Sequence, residues 1–194
     1  KQQGWLDSPL TDTGVRQAEA VRDALQGPVD SILSSDLGRA RLTAEIIAAR
    51  FTLPVTLEPN LRERNLGIMR GLTMEEFRER HPAEYSRFYR GDPDYVIPEG
   101  ESAAGRFRRA VAAFEKMVRE YAGKRLVVVT HGGILESLFR YVLGLPVAGH
   151  RTFSLINGSL NTFTASAADK TLIWRLESWG EIGHLQGLSA LDDF

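Results

Sequence analysis

The segment that most restricts the fold is Arg125 to Thr130, RLVVVT. It is apolar on both faces, the pattern of a parallel strand buried under helices. The run stops at a threonine. His131, Gly132 and Gly133 follow, and Ile134 then opens an amphipathic helix. Packing has little use for a histidine at the tip of a buried strand.

Upstream, strand-like and helix-like patterns alternate. Thr11 reads as the N-cap of a helix whose apolar face is Val15, Ala18, Val21 and Leu25, and Gly27-Pro28 stops it. Asp30 to Ser34 reads as a short buried strand, Asp36 to Arg50 as a second helix, and Val55 to Leu57 as a second strand. Thr73 to Arg90 is polar and helical, broken near His81-Pro82. Asp92 to Gly100 reads as a loop, and Glu101 to Tyr121 as a long amphipathic helix. Thr152 to Leu176 reads as a closing β section with a turn at Ala167 to Lys170. This order predicts an α/β fold, a three-layer α/β/α sandwich around a mostly parallel central sheet. In such sheets ligands bind outside the carboxyl ends of the strands, where His131 would sit.

A chain of 194 residues is enough for one domain with a full core, so residues 1–194 are read as a single domain. The net charge of −1 gives no sign of nucleic acid or a membrane surface as partner. No apolar run is long enough to span a bilayer, and no signal peptide is visible. Cysteine is absent, which removes disulfides and thiolate catalysis and fits a cytoplasmic protein.

Three segments place charged residues just after a strand. SSDLGRARLTAE carries Arg39 one turn into a helix, LRERNLGIMRG carries Glu63 in a glycine-punctuated loop, and THGG carries His131. Together they form a kit for phosphate monoesters. Arginine binds phosphate oxygens in a fork. A glutamate with a raised pKa protonates a leaving oxygen. A histidine at a helix N-terminus bonds a phosphoryl oxygen, while free amides favour the anion. Taken singly, Arg39 also reads as a surface helix residue and Glu63 as part of a solvated charge run. His131 resists such an explanation. His81 and His150 lie in polar segments and read as surface residues, and His184 stays open. No histidine pair has ligand spacing, so no metal site is expected.

In order along the chain, GWLDSPLTDTGVRQA, SSDLGRARLTA, LRERNLGIMRG, PEGES, VVTHGG and INGSL resemble the motifs of the histidine phosphatase superfamily, in its phosphoglycerate mutase-like branch. The resemblance implies a phosphohistidine mechanism without metal or cofactor. A histidine in an Arg-His-Gly loop takes the phosphoryl group. Arg39 and His131 hold the phosphoryl oxygens, Glu63 protonates the leaving alcohol, and water releases phosphate. It further implies that Gln3, Gly4, Arg39 and Gly132 contact a small phosphorylated substrate, that residues 73–100 form a helical cap, and that a homodimer forms, as is common in the family. The 194 residues contain no Arg-His-Gly. The family carries it on a strand inside the sheet before the Gly-Trp motif, so that strand and its histidine are expected upstream of Lys1. A pseudoenzyme is the alternative.

The same family runs mutase and phosphatase reactions. Its mutases carry a tyrosine and a lysine where this chain has Leu66 and Met74, and an asparagine at Gly133. Arg78, Arg80, Arg87 and Arg90 remain in the cap. Apolar residues at positions 66 and 74 weaken a site for a second anionic group. Hydrolysis of phosphate monoesters is therefore expected over phosphoglycerate mutase action. A non-catalytic phospholigand-binding module is the reading from another class. Trp5, Phe88 and Tyr89 read equally as lining of the cap's mouth or as core.

Overall fold

A computed structural model describes residues 1–149, 151–168 and 171–188. Helix α1 (Asp12–Ala24) begins where Thr11 Oγ1 accepts a hydrogen bond from the Gly14 amide at 3.1 Å. The cap satisfies one of the amides that a first turn leaves unpaired. Strand β1 (Ser31–Ser34), helix α2 (Gly38–Phe51) and strand β2 (Val55–Leu57) follow. The second helix starts later than predicted. Asp36 is held outside it by both forks of Arg62, at 2.6 and 2.5 Å, and Leu37 is extended. Arg39 is thus the helix's second residue rather than a full turn in.

Strand β3 (Leu126–Val129) lies parallel to β1, which lies parallel to β2 on its other side. Successive residues of these strands point to opposite faces. Leu33, Leu126 and Val128 join one cluster with Ala110, Phe114, Ile134 and Leu138 from helices α5 (Ala103–Glu120) and α6 (Gly132–Val142). Ile32, Val127 and Val129 join the other with Val21, Ala44 and Ile47 from α1 and α2. Helices therefore cover both faces, as doubly apolar strands require.

The closing β section is shifted along the chain from its predicted bounds. Strands β4 (Leu160–Ala168) and β5 (Thr171–Glu181) pair antiparallel as a two-stranded sheet of their own. Along β5 exposed and half-buried residues alternate, the pattern of a strand with one wet face. The hairpin still shares both clusters, through Leu160 on one face and Phe163 and Trp174 on the other. Part of the predicted turn, Asp169 and Lys170, lies outside the described residues, as does His150.

Between the first two layers and α5 stands a small helical unit, α3 (Met74–Arg80) and α4 (Pro82–Tyr89). Thr73 and Glu76 form a reciprocal capping box at its start. Pro82 ends α3 and opens α4, the predicted break. Met69, Phe77, Tyr95 and Ile97 make its buried centre, with Leu66, Met74 and Phe88 packed against it. Tyr89 belongs to no core: it is 75% exposed and stacks on Tyr85. His81 is half-buried rather than on the open surface, its ring 5.8 Å from that of Phe77. His184 Nε2 lies 2.8 Å from the Gly158 carbonyl and ties a closing turn to the loop before β4.

Candidate active site

The site forms where β1, β2 and β3 end. Beyond β1 come Ser35 and Asp36, beyond β2 a short turn leads to Glu63, and beyond β3 come Thr130 and His131. Thr130 Oγ1 donates to the Leu61 carbonyl at 2.9 Å, which fixes the third strand end to the loop of the second. His131 Nε2 lies 2.8 Å from the hydroxyl of fully buried Ser35, which fixes the third to the first.

Glu63 is the centre of the arrangement. Its Oε1 accepts the Arg64 amide at 2.6 Å, and its Oε2 accepts the Gly133 amide at 2.9 Å, at the N-terminus of α6. Burial pushes the carboxyl group up, but His131, Arg106 and these two amides more than offset it and hold the group below the ordinary carboxylate range. The expected raised pKa is therefore reversed. Burial, aided by Arg39 and Arg109, holds His131 down to about 4 against the pull of Glu63. These directions favour an ionised carboxylate beside a neutral imidazole.

Arg39 belongs to the same field. Burial lowers its pKa, while Glu63 and Asp7 oppose the shift. Its Nη1 donates to the Leu6 carbonyl at 3.0 Å and its Nη2 to the Gly4 carbonyl at 2.9 Å. Gly4 is buried with φ +53°, and a Cβ there would stand 3.1 Å from the Arg64 carbonyl and the Leu66 side chain. Only glycine takes that backbone without strain. The Arg39, Glu63 and His131 of the sequence reading thus come together, with Gly4 beside Arg39 and Gly132 opening α6 next to His131. Gln3 is different: it is exposed, and its carbonyl accepts the Leu6 amide at 2.9 Å.

Arg109 and Arg106 were not singled out by sequence, and Trp5 was read only as mouth lining or core. Arg109 holds the acid loop by its backbone, donating to the carbonyls of Asn60, Arg62 and Glu63 at 2.7, 2.9 and 3.3 Å while pairing with Glu101 at 2.5 Å. The Trp5 indole donates to the Glu63 carbonyl at 2.6 Å, and the Arg62 guanidinium lies 4.9 Å from the centre of its ring. Trp5 is therefore half-buried against the acid loop. Arg106 of α5 reaches the same place from the opposite side. A Cβ on Gly133 would stand 2.3 Å from Glu63 Oε1 and 2.6 Å from Arg106 Nη1. The signal for Arg106 was its register. Positions 106, 110, 113 and 117 share one helical face, and Ala110, Ala113 and Met117 on it are buried.

Among the described residues no group of three or more His, Asp or Glu side chains could hold a metal ion. No described helix is long and apolar enough to cross a membrane.

Known proteins are similar to this chain over most of its length. Phosphoglycerate mutase-like protein 4 of Arabidopsis thaliana is 38% identical over 190 residues, which cover 96% of this chain and 80% of that protein. A metal-independent phosphoserine phosphatase of the same plant is 34% identical over 194 residues, covering 97% and 78%. The solved structure of a mycobacterial glucosyl-3-phosphoglycerate phosphatase superposes with a TM-score of 0.76 at 30% identity, covering 93% of this chain and 92% of that one. The sequence profile of the histidine phosphatase superfamily (branch 1) matches residues 1–180, and the chain belongs to that family.

Proposed function

We propose that the protein hydrolyses small phosphate monoesters through a phosphohistidine. The observation that carries this reading is Glu63. Its carboxylate is bonded to the first turn of α6 and stands in the charge field of Arg39 and next to His131. Arg39 and His131 hold the phosphoryl oxygens, and the cations supply the field that stabilises charge spreading over them. On this reading the nucleophile is the histidine of the family's Arg-His-Gly loop, while residues within 1–194 supply the charge stabilisers and the acid.

Glu63 needs a proton before it can act as the acid. A phosphoryl dianion beside it opposes the cations that hold the carboxylate ionised, and so raises its pKa. Two of its lone-pair positions accept amides, which leaves room for a proton on either oxygen. The P–O bond of the ester then breaks as the proton passes to the leaving oxygen. In the second step water attacks the phosphohistidine and returns a proton to Glu63. The imidazole of His131 bonds a phosphoryl oxygen once the same anion stabilises its protonated form.

Relatives named as phosphatases and as mutases both match the chain. Two features favour the phosphatase. Leu66 and Met74 pack into the apolar centre of the helical unit rather than offering cations. An asparagine at Gly133 would have to displace the Glu63 carboxylate and the Arg106 guanidinium, because its Cβ would stand 2.3 and 2.6 Å from them. We place the protein in the cytoplasm, leave the reaction free of metal and cofactor, and assign the cap to residues 73–100 and dimerisation to a second copy of the chain. The test is release of phosphate from simple monoesters by the full-length protein. Turnover above background is expected, with poor interconversion of 3- and 2-phosphoglycerate even when a bisphosphate primer is supplied. Brisk primer-dependent interconversion overturns hydrolysis as the main activity. Phosphate binding without turnover makes the protein a binding module instead.

A further inference from the structure

Arg106 is poorly matched by the protein around it. Its side chain is only 12% exposed. It has five N–H donors to place. The one ion pair it makes among the described residues, Nη2 to Glu136 Oε2, is 3.4 Å long, against about 2.7–2.9 Å for a strong charge-assisted bond. Glu136 already holds Arg140 Nε at 2.9 Å through its other oxygen. The Arg106 Nε is buried and bonds nothing in the described structure. A second guanidinium stands nearby: burial first, and then Arg106, lowers the pKa of Arg64 to about 10. Two arginines that repel one another, one of them with an unmatched buried donor, carry a desolvation cost that folding does not repay.

The place they occupy suggests the use. Arg106 Nη1 and Glu63 Oε1 converge on the point that a Gly133 side chain would fill. If Glu63 serves the leaving oxygen, Arg106 stands beside whatever that oxygen is attached to. We propose that Arg106 is a specificity-determining residue that receives a carboxylate carried by the leaving group close to the ester oxygen. A planar carboxylate matches the guanidinium fork and supplies the acceptors that the protein withholds. It also takes up positive charge shared by Arg106 and Arg64. This inference rests on the reading of Glu63 as the leaving-group acid.

The test uses a matched pair of monoesters, 3-phosphoglycerate and glycerol 3-phosphate, which differ by a carboxylate in place of a hydroxymethyl group. With the full-length protein we expect kcat/KM to favour 3-phosphoglycerate at least tenfold, counted as released phosphate. Arg106→Leu should bring that ratio close to one, and Arg106→Lys should retain part of it. Equal hydrolysis of both esters by the wild-type protein overturns the proposal, as does an Arg106→Leu variant that keeps the preference. The same pair is compared as ligands by the rise each gives in the thermal unfolding midpoint of the wild-type protein. A larger rise with 3-phosphoglycerate supports the site even without turnover, in which case the hydrolytic reading fails and the carboxylate site stands. Equal rises overturn it. The ligand comparison needs no variant, so a misfolded Arg106→Leu does not remove the test.

Discussion

Acidification should weaken the fold through His131, and by an amount that the structure sets. In the unfolded chain a histidine takes its proton near pH 6.5. In the native protein burial first, then Arg39 and Arg109, keep the ring neutral down to about 4, with Glu63 and Asp36 pulling the other way. Ser35 holds Nε2. Between those two values the unfolded chain binds more protons than the native one, so stability falls as pH falls. The full depression corresponds to about 3 kcal/mol, and about 2 kcal/mol of it is lost by pH 5. With a urea slope of about 2 kcal/mol per molar, the unfolding midpoint should drop by about 1 M between pH 7 and pH 5. Asp36 and Glu63 also lose stability in acid, because their pKa values are lowered, but their window lies below that of His131. The comparison is therefore with His131→Asn, which keeps a polar side chain and removes the titration. Its midpoint should fall less steeply than the wild type's over the same range. Parallel curves for the two proteins would mean that the ring titrates alike in both states, and the account of its burial would be wrong.

Further outcomes follow from the same geometry. Glu63→Gln keeps the shape of the side chain but offers no acidic proton, and turnover of a simple monoester should fall at least about a hundredfold; an unchanged kcat would remove Glu63 as the acid. Gly133→Ala puts a Cβ 2.3 Å from Glu63 Oε1, so urea unfolding should show a loss of about 1–3 kcal/mol, and activity should drop with it. Arg109→Met keeps much of the bulk but removes the bonds to three carbonyls of the acid loop, and we expect kcat to fall while the pH at which activity declines also moves; a change in KM alone would argue against a loop-positioning role. Binding of inorganic phosphate should draw protons from the buffer near neutral pH, because the dianion raises the pKa of both His131 and Glu63. Calorimetry in buffers of different ionisation enthalpy reads that uptake, and its absence would contradict the proposed protonation of Glu63.

The layers were legible because β1 and β3 advertise burial on both faces. In β3 four aliphatic residues in a row followed by a polar corner leave few other readings, and the three site residues were found because each follows a strand end. The separate hairpin was not legible to the same degree. Alternation within β5 shows that one face is wet, but it does not say which sheet the strand joins, since pairing partners are chosen by contacts distant in sequence. The start of α2 was misplaced for a related reason. Asp36 is a good helix-start residue by local preference, yet Arg62 lies 26 residues further on and holds it outside the helix.

Arg106 and Arg109 show where pattern reading stops. The run Arg106-Phe107-Arg108-Arg109 looks like the charged face of an amphipathic helix, and Arg108 is indeed exposed. Arg106, however, lies in register with Ala110, Ala113 and Met117, a stripe that is otherwise buried. An arginine on such a stripe costs stability unless something anionic meets it. Glu63 supplies part of that partner through its charge, and Glu136 another part at 3.4 Å, long for a charge-assisted bond. The same cation lowers the pKa of Glu63 and stands where a side chain at position 133 would begin. Three features that look independent in the sequence, a glycine after His-Gly, a glutamate between two arginines and an arginine on a buried helical face, are therefore one electrostatic arrangement. A change at any of them should alter the proton on Glu63, which is the quantity on which the proposed chemistry depends.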